Sequence, residues 1–220
     1  MKGLFIVIEG IDCAGKSTQA ELLQRYFENQ GSKSVLSPEP SSGPIGNLIR
    51  EILKGRVFLT QDQEKFDEQM AYLFAADRHD HLYNDIDGVF KLVEQQLQVI
   101  STRYYFSSLA YNCYTQEQFG FVSRLNQNFP NPDLLIYIDL PVEVALSRLQ
   151  DNRSSVEVYE TKDKLAKVSQ NYQKILRNYD AAFLKVDGTN PKETIYQQIV
   201  QFLQDNVFRS EHQGHPISEH

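Results

Sequence analysis

The residues with the clearest chemical capacity form the segment 10–17, which reads GIDCAGKS. It fits the pattern G-x-x-x-x-G-K-[ST], in which backbone N–H groups surround phosphate oxygens at a helix N-terminus. In such a loop Lys16 reaches the β- and γ-phosphates of a nucleotide, and the Ser17 hydroxyl ligates Mg²⁺. We interpret the segment as a nucleotide-binding loop, with a plain glycine-rich turn as the alternative. The residues assigned to nucleotide binding here are Gly10, Ile11, Asp12, Cys13, Ala14, Gly15, Lys16, Ser17 and Thr18.

An apolar strand pattern precedes this loop and a helical pattern follows it. Continuous apolar runs predict buried parallel strands at 4–8, 97–100 and 134–138, and weaker ones at 34–36 and 183–186. Apolar residues at helical spacing predict helices at 17–30, 63–81, 142–149, 162–179 and 192–206. Because short strands alternate with helices, we expect an α/β fold with a parallel sheet.

Length, charge and cysteine content exclude several classes of protein. The chain has 220 residues and a formal net charge of −7, which argues against a general nucleic-acid or membrane-surface binder. Two cysteines, Cys13 and Cys113, predict a reducing compartment, the cytoplasm. We see no signal peptide and no stretch near the roughly 20 apolar residues of a membrane span. We expect one domain over 1–208 and a polar tail at 209–220.

A phosphate-binding loop alone does not separate an ATPase, a GTPase and a kinase. Further segments do, and the most specific of them is 103–111, which reads RYYFSSLAY. With the others in colinear order, the chain resembles the thymidylate kinase family from Leu4 to about Phe202. The resemblance implies a three-layer P-loop kinase fold, with a central parallel sheet of about five strands and helices on both faces. The other matching segments are 8–12 and 15–19, 38–40 (PEP), 73–78 (LFAADR), 132–134 (PDL) and 157–160 (EVYE).

The family transfers the γ-phosphoryl group of ATP to dTMP, so the resemblance implies ATP as co-substrate, Mg²⁺ and a dTMP site. Asp12 matches an acid that orients the sugar 3′-hydroxyl of the acceptor, and a turn-forming Asp is the alternative. Arg103 follows a predicted strand and matches an arginine that holds the acceptor phosphate, with a structural ion pair as the alternative.

The acceptor base has its own matching residues. Phe74 looks like the family's base-stacking aromatic, and a core Phe is the alternative. Arg78 lies four residues later on the same helical face and matches an arginine that reads the pyrimidine edge, against a solvated surface Arg. Ser107 and Tyr111 match positions near the thymine ring and the deoxyribose, although Tyr111 fits a core position equally well. If their segment is helical, both share a face with Arg103.

A lid is expected at about 150–161, where closure would exclude water from the reaction. Arg153 is the candidate lid cation and joins Lys16 and Arg103 as the predicted catalytic residues. Tyr159 matches a tyrosine that crowds the sugar 2′ position. Arg148 is a candidate for contact with the adenine or the phosphates of ATP, and the segment 186–189 for the loop under the adenine.

Three departures from the family pattern keep other functions open. Thr102 replaces an acid that supports Mg²⁺, and threonine is a poorer magnesium partner. Pro38 and Pro40 flank Glu39, where the family often has an arginine, so we expect one acceptor-phosphate cation to be absent. Cys13 places the chain nearer the family branch with arginines in the lid. The alternatives are a kinase for another nucleoside monophosphate or a deoxynucleoside, or a weakly active nucleotide-binding homologue. The resemblance also suggests a homodimer.

Overall fold

Five parallel strands form one sheet at the centre of the protein, in the order β2-β3-β1-β4-β5. The structure, a computed structural model, describes residues 2–151 and 162–208, without the side chains of 150, 151, 207 and 208. All five predicted strands are present, and four of them are one residue longer than predicted. Their bounds are Leu4–Glu9 (β1), Ser34–Leu36 (β2), Gln98–Thr102 (β3), Leu134–Asp139 (β4) and Phe183–Asp187 (β5).

Helices flank this sheet and confirm the predicted α/β class. Each of the five predicted helices exists, with ends that differ by a few residues at most. Four short helices appear in addition, at positions that the sequence analysis did not assign or assigned only conditionally. The helices are Lys16–Asn29 (α1), Pro44–Leu53 (α2), Gln63–Tyr83 (α3), Val89–Glu94 (α4), Tyr105–Tyr111 (α5), Gln116–Asn126 (α6), Val142–Asp151 (α7), Lys162–Arg177 (α8) and Lys192–Phe202 (α9), and a π-helical turn follows at Leu203–Phe208.

Two of the additional helices had local signals that could have revealed them. Helix α2 has Pro44 at its first turn, a position where the fixed φ of proline favours helix initiation. Helix α6 begins with a capping box. The Thr115 hydroxyl oxygen accepts from the backbone N–H of Gln118, and the Gln118 side-chain oxygen accepts from the backbone N–H of Thr115. Both helices matter because α2 borders the site described below and α6 packs against α3.

Strand β1 lies in the middle of the sheet, and all six of its residues are buried. Ile6 pairs with Ile100 of β3 on one side and with Leu134 of β4 on the other. The chain order therefore reverses at β1, and in sheets of this kind a crevice opens at the carboxyl ends of the strands at that point. The segments that follow β1 and β3 are the nucleotide-binding loop and the segment that contains Arg103.

Within residues 2–151 and 162–208, none of the helices combines the length and the apolar character that crossing a bilayer requires.

The buried strand β4 gives a direct test of this core. Ile136 is fully buried between β1 and β5, so Ile136→Ala should lower the free energy of unfolding by about 2–5 kcal/mol. Ile86 is 87% exposed, and Ile86→Ala should change it by less than about 0.5 kcal/mol. Urea unfolding of both variants measures the difference, and equal losses would contradict the placement of the core.

Candidate active site

The loop after β1 has the backbone conformation that its glycines predict. Gly10 has φ 150° and Gly15 has φ 94°, values that side chains rarely tolerate. A Cβ atom on Gly10 would also lie 2.7 Å from the carbonyl oxygen of Ile138, so the residue is required for close packing on β4. Cys13 has φ 60° without being glycine. The chain thus curls between β1 and α1 and directs this turn toward the carboxyl edge of the sheet.

Lys16 lies in the first turn of α1 with its ammonium group inside the loop. The Nζ atom donates to the carbonyl oxygens of Gly10 at 2.9 Å and Ile11 at 2.7 Å, and the side chain is 9% exposed. Burial lowers the pKa of Lys16 to about 8, and the nearby positive charge of Arg103 adds to the shift. The ammonium group is therefore poised to gain stabilisation from an anion.

A cavity of about 710 Å³ opens along this loop and α1. It extends to the loop after β5, where Gly188 and Asn190 line it. Arg148 of α7 connects the two sides, because its guanidinium donates to the carbonyl oxygen of Cys13 at 3.1 Å and to that of Gly188 at 2.9 Å. The cavity thus has phosphate-binding groups along one side and the candidate adenine loop at the other.

A second cavity, of about 240 Å³, lies beside the first and is enclosed by α2, α3, α5 and the turn at Glu39 and Pro40. Phe74 and Arg78 of α3 both line it, as their four-residue spacing predicts. Phe74 is half-buried and also packs on the small apolar cluster around Ile49 and Met70, so it serves the core and the cavity together.

Arg78 is 1% exposed, which excludes a solvated surface arginine. Its guanidinium donates to Glu39 Oε2 at 2.6 Å, Asn126 Oδ1 at 2.5 Å and Ser108 Oγ at 3.2 Å. The Nε–H group has no hydrogen-bond partner among the described residues. A buried donor without a partner is unfavourable by about 1–3 kcal/mol.

Asp12 and Arg103 are the residues that line both cavities. Their side chains form a close ion pair, and Tyr111 donates its hydroxyl to Asp12 Oδ2 at 3.0 Å. Burial raises the pKa of Asp12, but Arg103 and Lys16 outweigh it, so the carboxyl pKa lies below its usual range. The two cavities therefore meet at an ionised pair.

Arg103 itself precedes α5 rather than lying on it. Its φ of 73° is in the left-handed region, which turns the side chain toward Asp12. The Cζ atom lies 4.8 Å from the centre of the Tyr111 ring, and Nη1 donates to Ser107 Oγ at 3.4 Å. The three residues are together as expected, although by a turn and not by a shared helical face. Tyr111 is half-buried against the core and still reaches the cavity.

Three residues of the site were not assigned from the sequence. Arg50 of α2 lines the second cavity and donates to the carbonyl oxygens of Pro40 and Ser41. The expected absence of an acceptor-phosphate cation beside Glu39 stays a prediction, and α2 brings the cation Arg50 to the same cavity from another part of the chain. Glu39 and Asn126, the buried partners of Arg78, were not assigned either. Their separation from Arg78 along the chain left no local signal.

Some predicted residues fall outside the described part of the chain. These are Arg153, Tyr159, most of the proposed lid at 150–161 and the tail at 209–220. The residues that the structure does bring together are Gly10, Ile11, Asp12, Cys13, Ala14, Gly15, Lys16, Ser17, Thr18 and Arg148 around the first cavity, and Phe74, Arg78, Arg103, Ser107 and Tyr111 around the second.

A phosphate-binding loop that shares a wall with a second, cation-lined cavity defines a P-loop nucleotide kinase. The sequence model of thymidylate kinase matches residues 8–199. A probable thymidylate kinase of Thermococcus kodakarensis is 35% identical over 207 residues, covering 91% of this chain and 97% of its own. One of Methanococcus aeolicus is 36% identical over 206 residues, with 91% and 96% covered. The chain belongs to the thymidylate kinase family.

A solved structure agrees with this assignment. The thymidylate kinase of Candida albicans superposes with a TM-score of 0.74 at 26% identity, over 93% of this chain and 92% of that one. The predicted family and the predicted P-loop kinase fold are thereby confirmed. The chain is an ATP-dependent nucleoside monophosphate kinase, as its relatives are.

The lowered pKa of Lys16 gives a pH-dependent prediction. Below pH 8 the free protein already holds the proton, so ATP affinity should not depend on this group. Phosphate raises the pKa of the bound lysine, so above about pH 8 binding must take up a proton and affinity should fall up to about tenfold per pH unit. Calorimetry from pH 7 to 9.5 measures it. Lys16→Arg, charged throughout, should remove the slope, and an equal slope in this variant would refute the assignment.

Proposed function

We propose that this protein transfers the γ-phosphoryl group of ATP to dTMP, producing dTDP and ADP. The observation that carries the proposal is the second cavity, whose wall contains both the Phe74 ring and the Arg78 side chain. A pyrimidine offers a flat face for stacking and a carbonyl oxygen that accepts a hydrogen bond. Base–aromatic stacking contributes about 1–3 kcal/mol, and an arginine in the cavity wall is a donor suited to such an oxygen.

The surroundings of Arg78 favour one fixed geometry of base recognition. Glu39, Asn126 and Ser108 hold the guanidinium through three hydrogen bonds, so its orientation in the cavity wall is fixed. Because these partners are buried, the arginine loses little side-chain entropy when a ligand binds. A rigid donor of this kind discriminates between an acceptor that offers an oxygen and one that offers an amino group.

The acceptor phosphate would lie toward the shared wall of the cavities. Arg103 and Arg50 both line the second cavity and present guanidinium groups, which suit phosphate oxygens. The phosphate oxygen is already anionic, so the reaction needs no strong general base. Lys16, Arg103 and the lid candidate Arg153 would stabilise charge on the transferring group, which is how phosphoryl transfer is usually catalysed.

Mg²⁺ fits the oxygen groups of the first cavity. Ser17 and Thr102 line it with hydroxyl groups, and the Asp12 carboxylate faces it. Magnesium keeps several waters and needs few protein oxygens, so Ser17 as the direct ligand is sufficient. When bound with ATP, the metal would neutralise phosphate charge. Thr102 can take part only as a neutral oxygen.

The acceptor preference is tested with ATP, Mg²⁺ and, separately, dTMP, dUMP, UMP, CMP, AMP and thymidine, following ADP release. We expect dTMP to give the highest kcat/KM, and Lys16→Ala to abolish turnover with every acceptor. Phe74→Leu should raise the KM for dTMP about fivefold to a hundredfold, because it removes the stacking surface, and leave the KM for ATP unchanged.

Phe58→Leu is the matched control for this experiment. Phe58 is 74% exposed in the α2–α3 loop and lines neither cavity, so the variant should keep both KM values. A higher kcat/KM for another monophosphate or for thymidine would replace dTMP as the acceptor and leave phosphoryl transfer intact. ATP binding without ADP release for any acceptor would make the chain a nucleotide-binding homologue.

We further propose a homodimer in a reducing, cytoplasmic compartment. Helix α3 exposes Tyr72, Ala76, His79 and Tyr83 at helical spacing, and Phe121 of α6 contacts Tyr72 with ring centres 5.1 Å apart. An apolar stripe of this kind supports self-association through paired α3 helices. Two cysteines in 220 residues are too few for a disulfide framework, which supports the reducing compartment.

Sedimentation velocity tests the dimer. The wild-type chain should sediment at twice the 25.4 kDa mass of one chain. Ala76→Arg places a charge in the middle of the α3 stripe and should produce monomers. Phe58→Arg adds the same charge at an exposed apolar position outside the stripe and should leave the dimer intact. Dissociation by both variants, or by neither, would contradict an interface on α3.

A further inference from the structure

Glu9, the last residue of β1, is a completely buried carboxylate immediately before the nucleotide-binding loop. Four donors converge on it. The backbone N–H groups of Tyr104 and Ser107 reach Oε1 at 2.7 and 3.2 Å, and the hydroxyls of Ser107 and Tyr172 reach Oε2 at 2.8 Å each. A carboxylate can accept from all four at once, because both of its oxygens are acceptors.

These contacts anchor the start of α5 from a different element. Tyr104, at the N-terminal end of the helix, provides no side-chain cap, so Glu9 supplies the acceptor that the first turn needs. The residue before Tyr104 is Arg103, whose N–H donates to the Ile8 carbonyl oxygen at 3.1 Å. Arg103 is thus held on both sides by the end of β1, and this constraint maintains its left-handed backbone.

The same carboxylate also acts on the charges at the junction of the cavities. Burial raises the pKa of Glu9, while the Ser107 hydroxyl and the nearby Arg103 oppose this shift. In its ionised form Glu9 is a second negative group for Arg103 besides Asp12. Ser107 connects them, because its hydroxyl donates to Glu9 and accepts from Arg103 Nη1 at 3.4 Å.

We propose that Glu9 is a positioning residue for phosphoryl transfer, which holds Arg103 and Ser107 at the wall shared by the two cavities. The proposal rests on the proposed function, since it assigns Arg103 to the acceptor phosphate. Glu9 lines neither cavity, so its side chain does not face a ligand bound in either of them. It acts through the first turn of α5.

Glu9→Gln separates the charge of this residue from its shape. The amide oxygen can accept from the fixed N–H groups, and the amide nitrogen can donate to the hydroxyls, which rotate to accept. We expect kcat to fall about tenfold and the KM for the acceptor to rise about fivefold, with the KM for ATP within about twofold. Glu9→Ala should lower kcat about a hundredfold, because the anchor of α5 is lost as well.

Tyr172→Phe is the milder variant and removes one of the four donors without changing charge. It should move the same constants in the same direction by about threefold, and it carries the test if a Glu9 variant does not fold. Asp133→Asn is the matched control. Asp133 accepts from the Phe5 N–H at 2.8 Å at the opposite end of β1, far from both cavities. It should lower Tm and leave all three constants unchanged.

The outcomes separate positioning from stability. A purely structural Glu9 would behave like Asp133→Asn, with a lower Tm and unchanged constants per folded molecule, and this result overturns the proposal. An equal rise of the KM for ATP and the KM for the acceptor also overturns the proposal. If the Glu9 variants do not fold, kinetic constants of Tyr172→Phe equal to those of the wild-type chain overturn it as well. If the wild-type chain phosphorylates a different monophosphate, the proposed acceptor fails, and the same variants are compared on the monophosphate that it accepts.

Discussion

The ion pair between Asp12 and Arg103 is the interaction on which the site depends. It joins the loop after β1 to the segment after β3, and its two members line both cavities. Neighbouring parallel strands bring these segments together, because their carboxyl ends meet at the same edge of the sheet. A phosphoryl group moving between two bound nucleotides would cross this boundary, where charge is concentrated and largely shielded from water.

Buried charges elsewhere in the site are also paired with opposite charges. Arg78 and Glu39 form an ion pair at 2.6 Å with both side chains 1% exposed, and His81 lies 3.3 Å from the other oxygen of Glu39. Such pairs add little net stability, because desolvation offsets most of the attraction. Their value here is geometric, because Glu39 and its neighbours fix the orientation of a guanidinium that lines the cavity. Rigid polar groups in an apolar wall are what selective binding requires.

The departures from the family pattern have different structural consequences. The prolines around Glu39 remove a nearby cation, but Arg50 of α2 lines the same cavity and donates to the carbonyl oxygen of Pro40. Among the described residues, no other side chain takes the place of the acid that Thr102 replaces. The neutral hydroxyl of Thr102 lines the first cavity. The second cavity therefore has a positive charge from a different helix, whereas the first cavity has a neutral hydroxyl at position 102.

Features that depend on residues close together in the chain could be predicted from the amino-acid sequence. The spacing of Gly10, Gly15 and Lys16 specifies the phosphate loop, since each residue is needed for a backbone conformation or charge within a few positions. Continuous apolar runs specified the buried strands, and the four-residue spacing of Phe74 and Arg78 specified a common helical face. The family resemblance supplied the functional roles that these patterns do not contain.

Contacts between residues far apart in the chain became visible only in the folded structure. Arg78 finds Glu39 and Asn126, Arg50 reaches the acceptor cavity, and Glu9 anchors α5, and every one of these contacts spans separate elements. The spacing of apolar residues along the sequence does not predict such contacts, because they depend on how the helices pack on the sheet. Arg103 shows the difference most clearly: its type and position could be read from the sequence, but its left-handed turn toward Asp12 arises from β1 beside it.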